Sequence, residues 1–410
     1  MTTFSVEFLG CKVSQTDAQG LRERLAAVGH VEAVGGAVHV VNGCCVTNEA
    51  LRKTAQAARR AARGGARVLV TGCAANMARD GLGDLGPDIE VLPARSEDAP
   101  DAVARAVGAT GCVGPPPGLD RTRAFVKVQD GCSFRCTFCV IPTVRGPSRS
   151  RALAAILAEA ERRVAAGHRE LVVTGVNLGL DRAREERDGL AGLVLRLAET
   201  PGLERLRLSS VEANHLTDEL ADAMAHPRVC PHLHVPLQSG DDGVLRAMAR
   251  RYDAAGYARR IEGVRRRVPG LNLTGDVIVG FPDEDEAAFG RTLDLVRRLS
   301  FSRVHAFPYS PRPGTRTAGR DPVPAGVKRD RSERLRALAD RQGLERRRAL
   351  VGRRDRVLVE RRDAGGRLHG YGRDYTPYVL EPDPSVEVGE AVDVVALTAG
   401  SSAVEGRRAA

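Results

Sequence analysis

Along the first part of the chain, short apolar runs alternate with longer segments whose apolar residues recur every three or four positions. FSVEFLGC has the make-up of a strand and ends at Cys11, and QTDAQGLRERLAAVG follows as an amphipathic helix. AVHVVNGCC is a second strand, ending at Cys44 and Cys45, and NEALRKTAQAARRAARGG is a helix closed by glycines. ARVLVTGC is a third strand and ends at Cys73. This alternation predicts βα units on an open parallel sheet. The cysteines stand 44 − 11 = 33 and 73 − 44 = 29 residues apart, close to one βαβ repeat each. Ligands bind beyond the carboxyl ends of strands in such sheets. Three thiols gathered there could hold three corners of a [4Fe–4S] cube, or be small buried residues of strand-end turns. Adjacent residues of an extended chain point opposite ways, so Cys44 is the expected ligand and Cys45 its neighbour.

After about residue 110 the stretch GPPPG (residues 114–118) suits a domain boundary. Beyond it come six strand-like runs separated by helical ones: AFVKVQD, ELVVTG, RLRLSS, HLHVPL, NLTGDVIVG and RVHAFPYS. Six parallel strands with return helices predict a partial (β/α)6 barrel in an α/β protein. Polar or glycine residues follow these strands, where barrel enzymes place their chemistry: Cys132 and its neighbours, Gly175 and Asn177, Ser209 to Glu212, Gln238 to Gly240, Gly280 with Pro282, and Tyr309 with Ser310. An Arg-rich helical segment then leads to DRVLVERR, RLHGYGRDYTPYVLE and EAVDVVAL, which fit a small all-β barrel. The expected domains are 1–112 (open parallel α/β), 118–345 (partial barrel) and 346–410 (all-β barrel).

Composition narrows the function. The chain has 410 residues, 42% hydrophobic and 28% charged, enough for two or three cored domains. MTTFSVEFLG has no signal-like pattern and no apolar run is long enough to span a bilayer, so a cytoplasmic protein with no membrane partner is expected. Nine cysteines in that compartment point to metal or redox chemistry instead of disulfides. The net charge of +10 suits an anionic partner such as nucleic acid. Lysine occurs only at 12, 53, 127 and 328, so a bias toward arginine would produce the same charge.

The segment DGCSFRCTFCVIP carries Cys132, Cys136 and Cys139 in a Cys-x3-Cys-x2-Cys spacing with no fourth ligand nearby. A structural zinc would need a distant histidine as its fourth ligand, whereas three thiolates on a cube leave one iron open. In this position, after the first barrel strand, the motif resembles the signature of the radical S-adenosylmethionine (SAM) enzymes, whose open iron takes the methionine end of SAM. Together with the three spaced N-terminal cysteines, CTFCVIPTVRGPSRSR and HLHVPLQSGDDGVLRAMAR resemble the methylthiotransferases over nearly the whole chain. GCKVSQTDAQGLRERL and NGCCVTNEA look most like the branch acting on N6-threonylcarbamoyladenosine at position 37 of tRNA, with departures at Ser14, Gly43 and Cys45.

The resemblance implies two [4Fe–4S] clusters, one on Cys11, Cys44 and Cys73, the other on the catalytic Cys132, Cys136 and Cys139. It implies that one SAM methylates sulfur at the first cluster and a second gives a 5′-deoxyadenosyl radical that takes hydrogen from C2 of the adenine, where the methylthio group then joins. It places Gly175 and Asn177 at the methionine end of SAM. Glu212 is expected near the ribose, with Gln238 in the same cofactor set, and Gly280 would let the backbone approach the adenine. Arg145 and Arg149 are expected as RNA-binding residues that hold phosphate or carboxylate, or to form a solvated basic loop. The C-terminal segment resembles the RNA-binding TRAM domain, with Tyr371, Arg373, Tyr375 and Tyr378 able to contact phosphate and stack on bases, or to build a barrel wall. His232 and His234 share one strand face and read as packed, hydrogen-bonded histidines; Cys112 and Cys230 read as free thiols. Implied partners are the tRNA anticodon loop, a sulfur donor and a one-electron donor of flavodoxin or ferredoxin type. The rival readings are methylthiolation of a ribosomal protein or of another modified adenosine 37, and a non-catalytic iron–sulfur or RNA-binding protein.

Overall fold

The computed structural model describes residues 2–77, 82, 85–108, 122–179 and 189–409. GPPPG and Cys112 lie outside the described residues. The chain divides into two compact units. The first comprises Met1–Asp120, Asp130–Arg149 and Ser310–Gly319; the second comprises Arg121–Gln129, Ser150–Tyr309 and Arg320–Ala410.

The first unit is built on β1 (Thr3–Phe8), β2 (Val31–Glu32), β3 (Val38–Gly43), β4 (Arg67–Gly72) and β5 (Ile89–Val91), in the order β2-β1-β3-β4-β5. All of its pairings are parallel. Neighbouring residues of β3 face opposite ways: Val40 packs with Phe4, Leu21, Leu25 and Leu69, while Val41 packs with Leu51, Ala58 and Val70. Helices α1 (Lys12–Ala27) and α2 (Asn48–Arg63) supply those two covers, and Thr47 caps α2 by accepting from the Ala50 N–H at 3.1 Å. Gly43 is required by packing. A Cβ there would lie 2.5 Å from Thr54 Cγ2 and 2.8 Å from Ala74 Cβ.

In the second unit β6 (Arg123–Asp130), β8 (Glu170–Gly175) and β9 (Arg205–Leu208) pair in parallel, with the two-residue β7 (Arg149–Ser150) beyond β6. β10 (His232–His234), β11 (Asn272–Val279) and β12 (Arg303–Pro308) form a second parallel set. Parallel bridges Leu206 to Val229 and Ser210 to His234 carry β9 onto β10. The six predicted strands therefore run in sequence order as a partial barrel. Leu171, Val173, Leu206, Leu233, Leu273 and Val277 enter one core with Ile156, Leu193, Tyr257, Phe289 and Leu335 of the covering helices. The alternate residues look into the barrel and are largely polar.

The C-terminal strands β13 (Arg354–Arg362), β14 (Leu368–Tyr371), β15 (Pro377–Leu380), β16 (Ala391–Ala399) and β17 (Val404–Arg408) close into a barrel of order β13-β14-β15-β17-β16. Its core holds Val357, Leu368, Tyr378, Leu380, Val394 and Val404. Neither β17, whose VEGRR carries little apolar signal, nor the short edge strands β2 and β5 is foreseen in the sequence pattern.

The turn between β14 and β15 meets the amino-terminal end of the six-stranded barrel and brings Tyr371, Arg373 and Tyr375 to it, as in the wall-building alternative. The first residues of the barrel strands meet it. Arg205 donates to the Tyr371 carbonyl at 3.1 Å, Arg207 to the Arg373 carbonyl at 3.0 Å, and Asn272 to the Asp374 carbonyl at 2.8 Å. The Arg123 guanidinium lies 5.2 Å from the rings of both Tyr371 and Tyr375, and Arg207 lies 4.8 Å from Tyr375. Arg373 donates back to the Val229 carbonyl at 3.1 Å. Tyr371, Arg373 and Tyr375 are partly buried against the barrel base, and Tyr378 is buried in the core of its own barrel.

Candidate active site

Because β1, β3 and β4 are parallel neighbours, Cys11, Cys44 and Cys73 emerge at one edge of the sheet. Cys11 is exposed and stands at the start of α1, its sulfur 3.8 Å from the Ser14 hydroxyl. A Cβ on Gly10 would lie 3.1 Å from Cys44 Sγ, which shows how closely the two strand-end turns approach. Cys73 opens the short helix Cys73–Asn76. Burial pushes the Cys44 thiol up to about 11, with the charges of Cys11 and Cys73 adding to the effect. Cys45 is fully buried and hydrogen-bonds Cys73, which holds Cys73 below the ordinary thiol range; the Arg145 guanidinium acts in the same direction, against desolvation.

Cys132, Cys136 and Cys139 follow β6 directly in a loop fixed by its backbone. Gly131 has φ +67°, and a Cβ there would lie 2.1 Å from the Pro147 carbonyl oxygen. The Cys132 N–H donates to the Gly146 carbonyl at 3.1 Å, and the Phe134 N–H donates to Cys132 Sγ at 3.4 Å. The three thiols are partly exposed. Val140 and Val144, just beyond, pack with Leu51 and Val70 of the N-terminal sheet and helix.

Arg145, six residues beyond Cys139, reaches the strand-end set. Its side chain is 4% exposed, and Nε donates to Cys73 Sγ at 3.0 Å. Nη2 meets Asp17 at 2.8 Å and Nη1 meets Asp130 at 3.0 Å. Burial disfavours the charged guanidinium, but Asp17, Cys73 and Asp130 outweigh it and hold it firmly protonated. The expectation that Arg145 grips RNA is corrected, because the residue is buried with these partners. Arg149 is half-buried and pairs with Glu97 at 2.9 Å. The one sequence signal for the network is Asp130 immediately before the cysteine motif; Asp17 on α1 gives none.

The donor sets allow a test of what they could hold. A tetrahedral zinc draws its thiolates to about 3.8 Å from one another through bonds of about 2.3 Å. Among the described residues only His234, Asp276 and His305 form a group of three or more ligand atoms all within 4.8 Å of one another, and neither cysteine triplet reaches that spacing. Three thiols in each set, with no fourth cysteine or histidine in the Cys132–Cys139 motif, suit a cube that leaves one iron open.

The expected cofactor residues all lie at or beyond carboxyl ends of barrel strands. The Asn177 N–H donates to Gln129 Oε1 at 2.8 Å, and a Cβ on Gly175 would lie 2.8 Å from Leu178 and 3.1 Å from Gln129 Oε1. The Glu212 carboxylate is paired with Arg250. Gln238 adopts φ 66° and its N–H donates to the Asp276 carbonyl at 2.8 Å. Gly280 has φ +71°, and a Cβ there would lie 2.4 Å from Lys328 Cγ, so Lys328 and the backbone conformation already demand this glycine.

Comparison with known proteins decides the family. Residues 126–296 match the radical SAM superfamily and residues 3–92 match the uncharacterized protein family UPF0004. The threonylcarbamoyladenosine tRNA methylthiotransferase MtaB of Thermotoga maritima is 35% identical over 396 residues, covering 92% of this chain and 91% of its own. The chain belongs to the radical SAM methylthiotransferases. The tRNA-2-methylthio-N(6)-dimethylallyladenosine synthase of Sphingopyxis alaskensis is 34% identical, covering 98% and 96% of the two chains. The fold of this methylthiotransferase is also similar to that of TsrM, a radical SAM methyltransferase from Kitasatospora setae, with a TM-score of 0.56 at 15% identity over 77% of each chain. No helix among the described residues of the methylthiotransferase is long and apolar enough to cross a membrane.

Proposed function

We propose that the enzyme adds a methylthio group to C2 of N6-threonylcarbamoyladenosine at position 37 of tRNA. The observation that carries the reading is that Arg145, rooted directly after the Cys132 to Cys139 loop, hydrogen-bonds Cys73 of the strand-end triplet within one compact unit. Cys132, Cys136 and Cys139 would hold one [4Fe–4S] cluster and Cys11, Cys44 and Cys73 a second. When bound, the first supplies the electron that cleaves SAM and the second is the site of the sulfur to be transferred.

The chain's own residues have narrower tasks. Arg145 places positive charge and an N–H donor at Cys73, and Asp17 and Asp130 fix its direction. Gln129 holds the backbone at Asn177, where the methionine end of SAM would lie. Gly175, Glu212, Gln238 and Gly280 complete the proposed SAM site, in which Glu212 would reach the ribose while paired with Arg250. We assign 1–112 to the strand-end cluster, 118–345 to the radical barrel and 346–410 to a TRAM-like barrel. The threonylcarbamoyl branch is favoured by GCKVSQTDAQ and NGCCVTNEA, and by the Thermotoga relative. A flavodoxin or ferredoxin would be the reductant, and the sulfur donor is a separate partner in the cytoplasm.

The test is iron content and SAM turnover of the anaerobically reconstituted protein. About eight irons per chain, falling to about half in the Cys132→Ala/Cys136→Ala/Cys139→Ala variant with loss of 5′-deoxyadenosine, is expected. Four irons in the wild type would refute the two-cluster reading.

A further inference from the structure

The inner face of β10, β11 and β12 carries a polar group that the chemistry above does not use. Leu233, Leu273, Val277 and Val304 enter the helix-covered core, so the alternate residues His234, Thr274, Asp276 and His305 face into the barrel. Parallel register sets His234 beside Thr274 and Asp276 beside His305. The ligand atoms of His234, Asp276 and His305 lie within 4.8 Å of one another. His234 is held at both ring nitrogens, by Thr274 Oγ1 at 3.0 Å and Asp276 Oδ1 at 3.1 Å. His305 is exposed, and Asp276 and His234 are partly so. One layer below, His232 meets the Tyr375 ring at a centroid distance of 4.9 Å, where the C-terminal turn closes the barrel base. Among the described residues the base is thus occupied on this face, and the exposed His305 leaves the group open toward the carboxyl ends of the strands, the side on which barrel enzymes work.

We infer that His234, Asp276 and His305 form the subsite that reads the substituent on N6 of the substrate adenine, selecting a polar acyl group that bears a carboxylate. This rests on the proposed function. An ionised carboxylate only accepts hydrogen bonds, whereas an imidazole N–H donates. The exposed His305 imidazole matches a substrate carboxylate, and Asp276, oriented by His234, matches a urea N–H or a hydroxyl. A threonylcarbamoyl group presents all three within a few bonds. A dimethylallyl group presents none, and seating it here would take His305 and Asp276 out of water while offering neither a hydrogen bond, which a site built for hydrogen bonding rejects strongly.

The experiment measures kcat/KM for methylthiolation of two tRNAs that differ only in carrying threonylcarbamoyl or dimethylallyl on adenosine 37, with the reconstituted full chain. The wild type is expected to favour threonylcarbamoyl by ~100-fold or more. His305→Phe and Asp276→Asn should each lower that ratio ~10-fold or more, and His305→Gln, which keeps a donor, should restore part of it. Equal losses on both tRNAs, or an unchanged ratio, would overturn the inference, since a structural role cannot tell the substituents apart. So would one tightly held zinc per chain that His234→Ala removes, because the triad would then be a metal site. A wild type that modifies only dimethylallyladenosine, or neither tRNA, would instead sink the proposed function.

Discussion

Two buried arginines invite comparison. Arg145, in the N-terminal unit, and Arg207, at the barrel base, are both almost fully buried and paired with carboxylates. Arg207 meets Glu170 at 2.7 Å and spends its remaining donors on carbonyls of the C-terminal turn. Its partners are permanent parts of the protein, and the arrangement ties one barrel to the other. Arg145 has two carboxylates and, as a further acceptor, a thiol proposed to bind iron. The same physics of a desolvated cation is used in one place to lock a fold and in the other to aim charge at a reactive sulfur.

Removing each cation separates the two uses. Arg145→Met leaves Asp17 and Asp130 buried without a cation, which should cost about 3–5 kcal/mol. Arg145→Lys keeps the charge and should recover most of that stability. It should still alter the EPR spectrum and potential of the proposed strand-end cluster, because the directed N–H to Cys73 is lost. Denaturant unfolding and redox titration check the two halves. Arg207→Met should cost less, about 1.5–3 kcal/mol, since Arg205 remains 3.5 Å from Glu170. It should leave the iron–sulfur spectra unchanged.

The pH dependence of stability sharpens the contrast further. Burial alone would raise the Glu170 pKa, but Arg207, Arg123 and Arg205 outweigh it and the net shift is downward. A depressed carboxylate stabilises the fold above its unfolded pKa, near ~4.3, and that stability is lost as pH falls through the folded value. Glu170→Gln should therefore show a flatter stability profile than wild type below pH ~4. The smallest effect is expected from Tyr375→Leu, which removes ring contacts with Arg123, Arg207 and His232 for about 1–2 kcal/mol. It should leave tRNA affinity unchanged in a filter-binding assay, whereas a tyrosine that stacked on RNA would lose affinity.

The sequence pattern announces the strands and the residues at their carboxyl ends, because a parallel sheet puts all of those ends on the same side. Cys11, Cys44 and Cys73 could thus be placed together from spacing alone. Long-range partners are not legible in this way. Nothing in VRGPSRSR indicates that Arg145 turns inward to Asp17 on α1, and a solvated basic loop has the same composition. Tyr371 and Tyr375 alternate with charged residues as an RNA-binding face would, yet they fill a barrel base whose need for a plug no local pattern records. His305 and Asp276 escape notice for the same reason, since their meeting depends on the register of β11 with β12.

The central claim is tested most directly by mass spectrometry of tRNA nucleosides from a host stripped of its own methylthiotransferases and expressing either this chain or its Cys132→Ala variant. The account predicts 2-methylthio-N6-threonylcarbamoyladenosine with the wild-type chain and none with the variant. Unmodified threonylcarbamoyladenosine in both strains, with the purified chain still cleaving SAM, would contradict it.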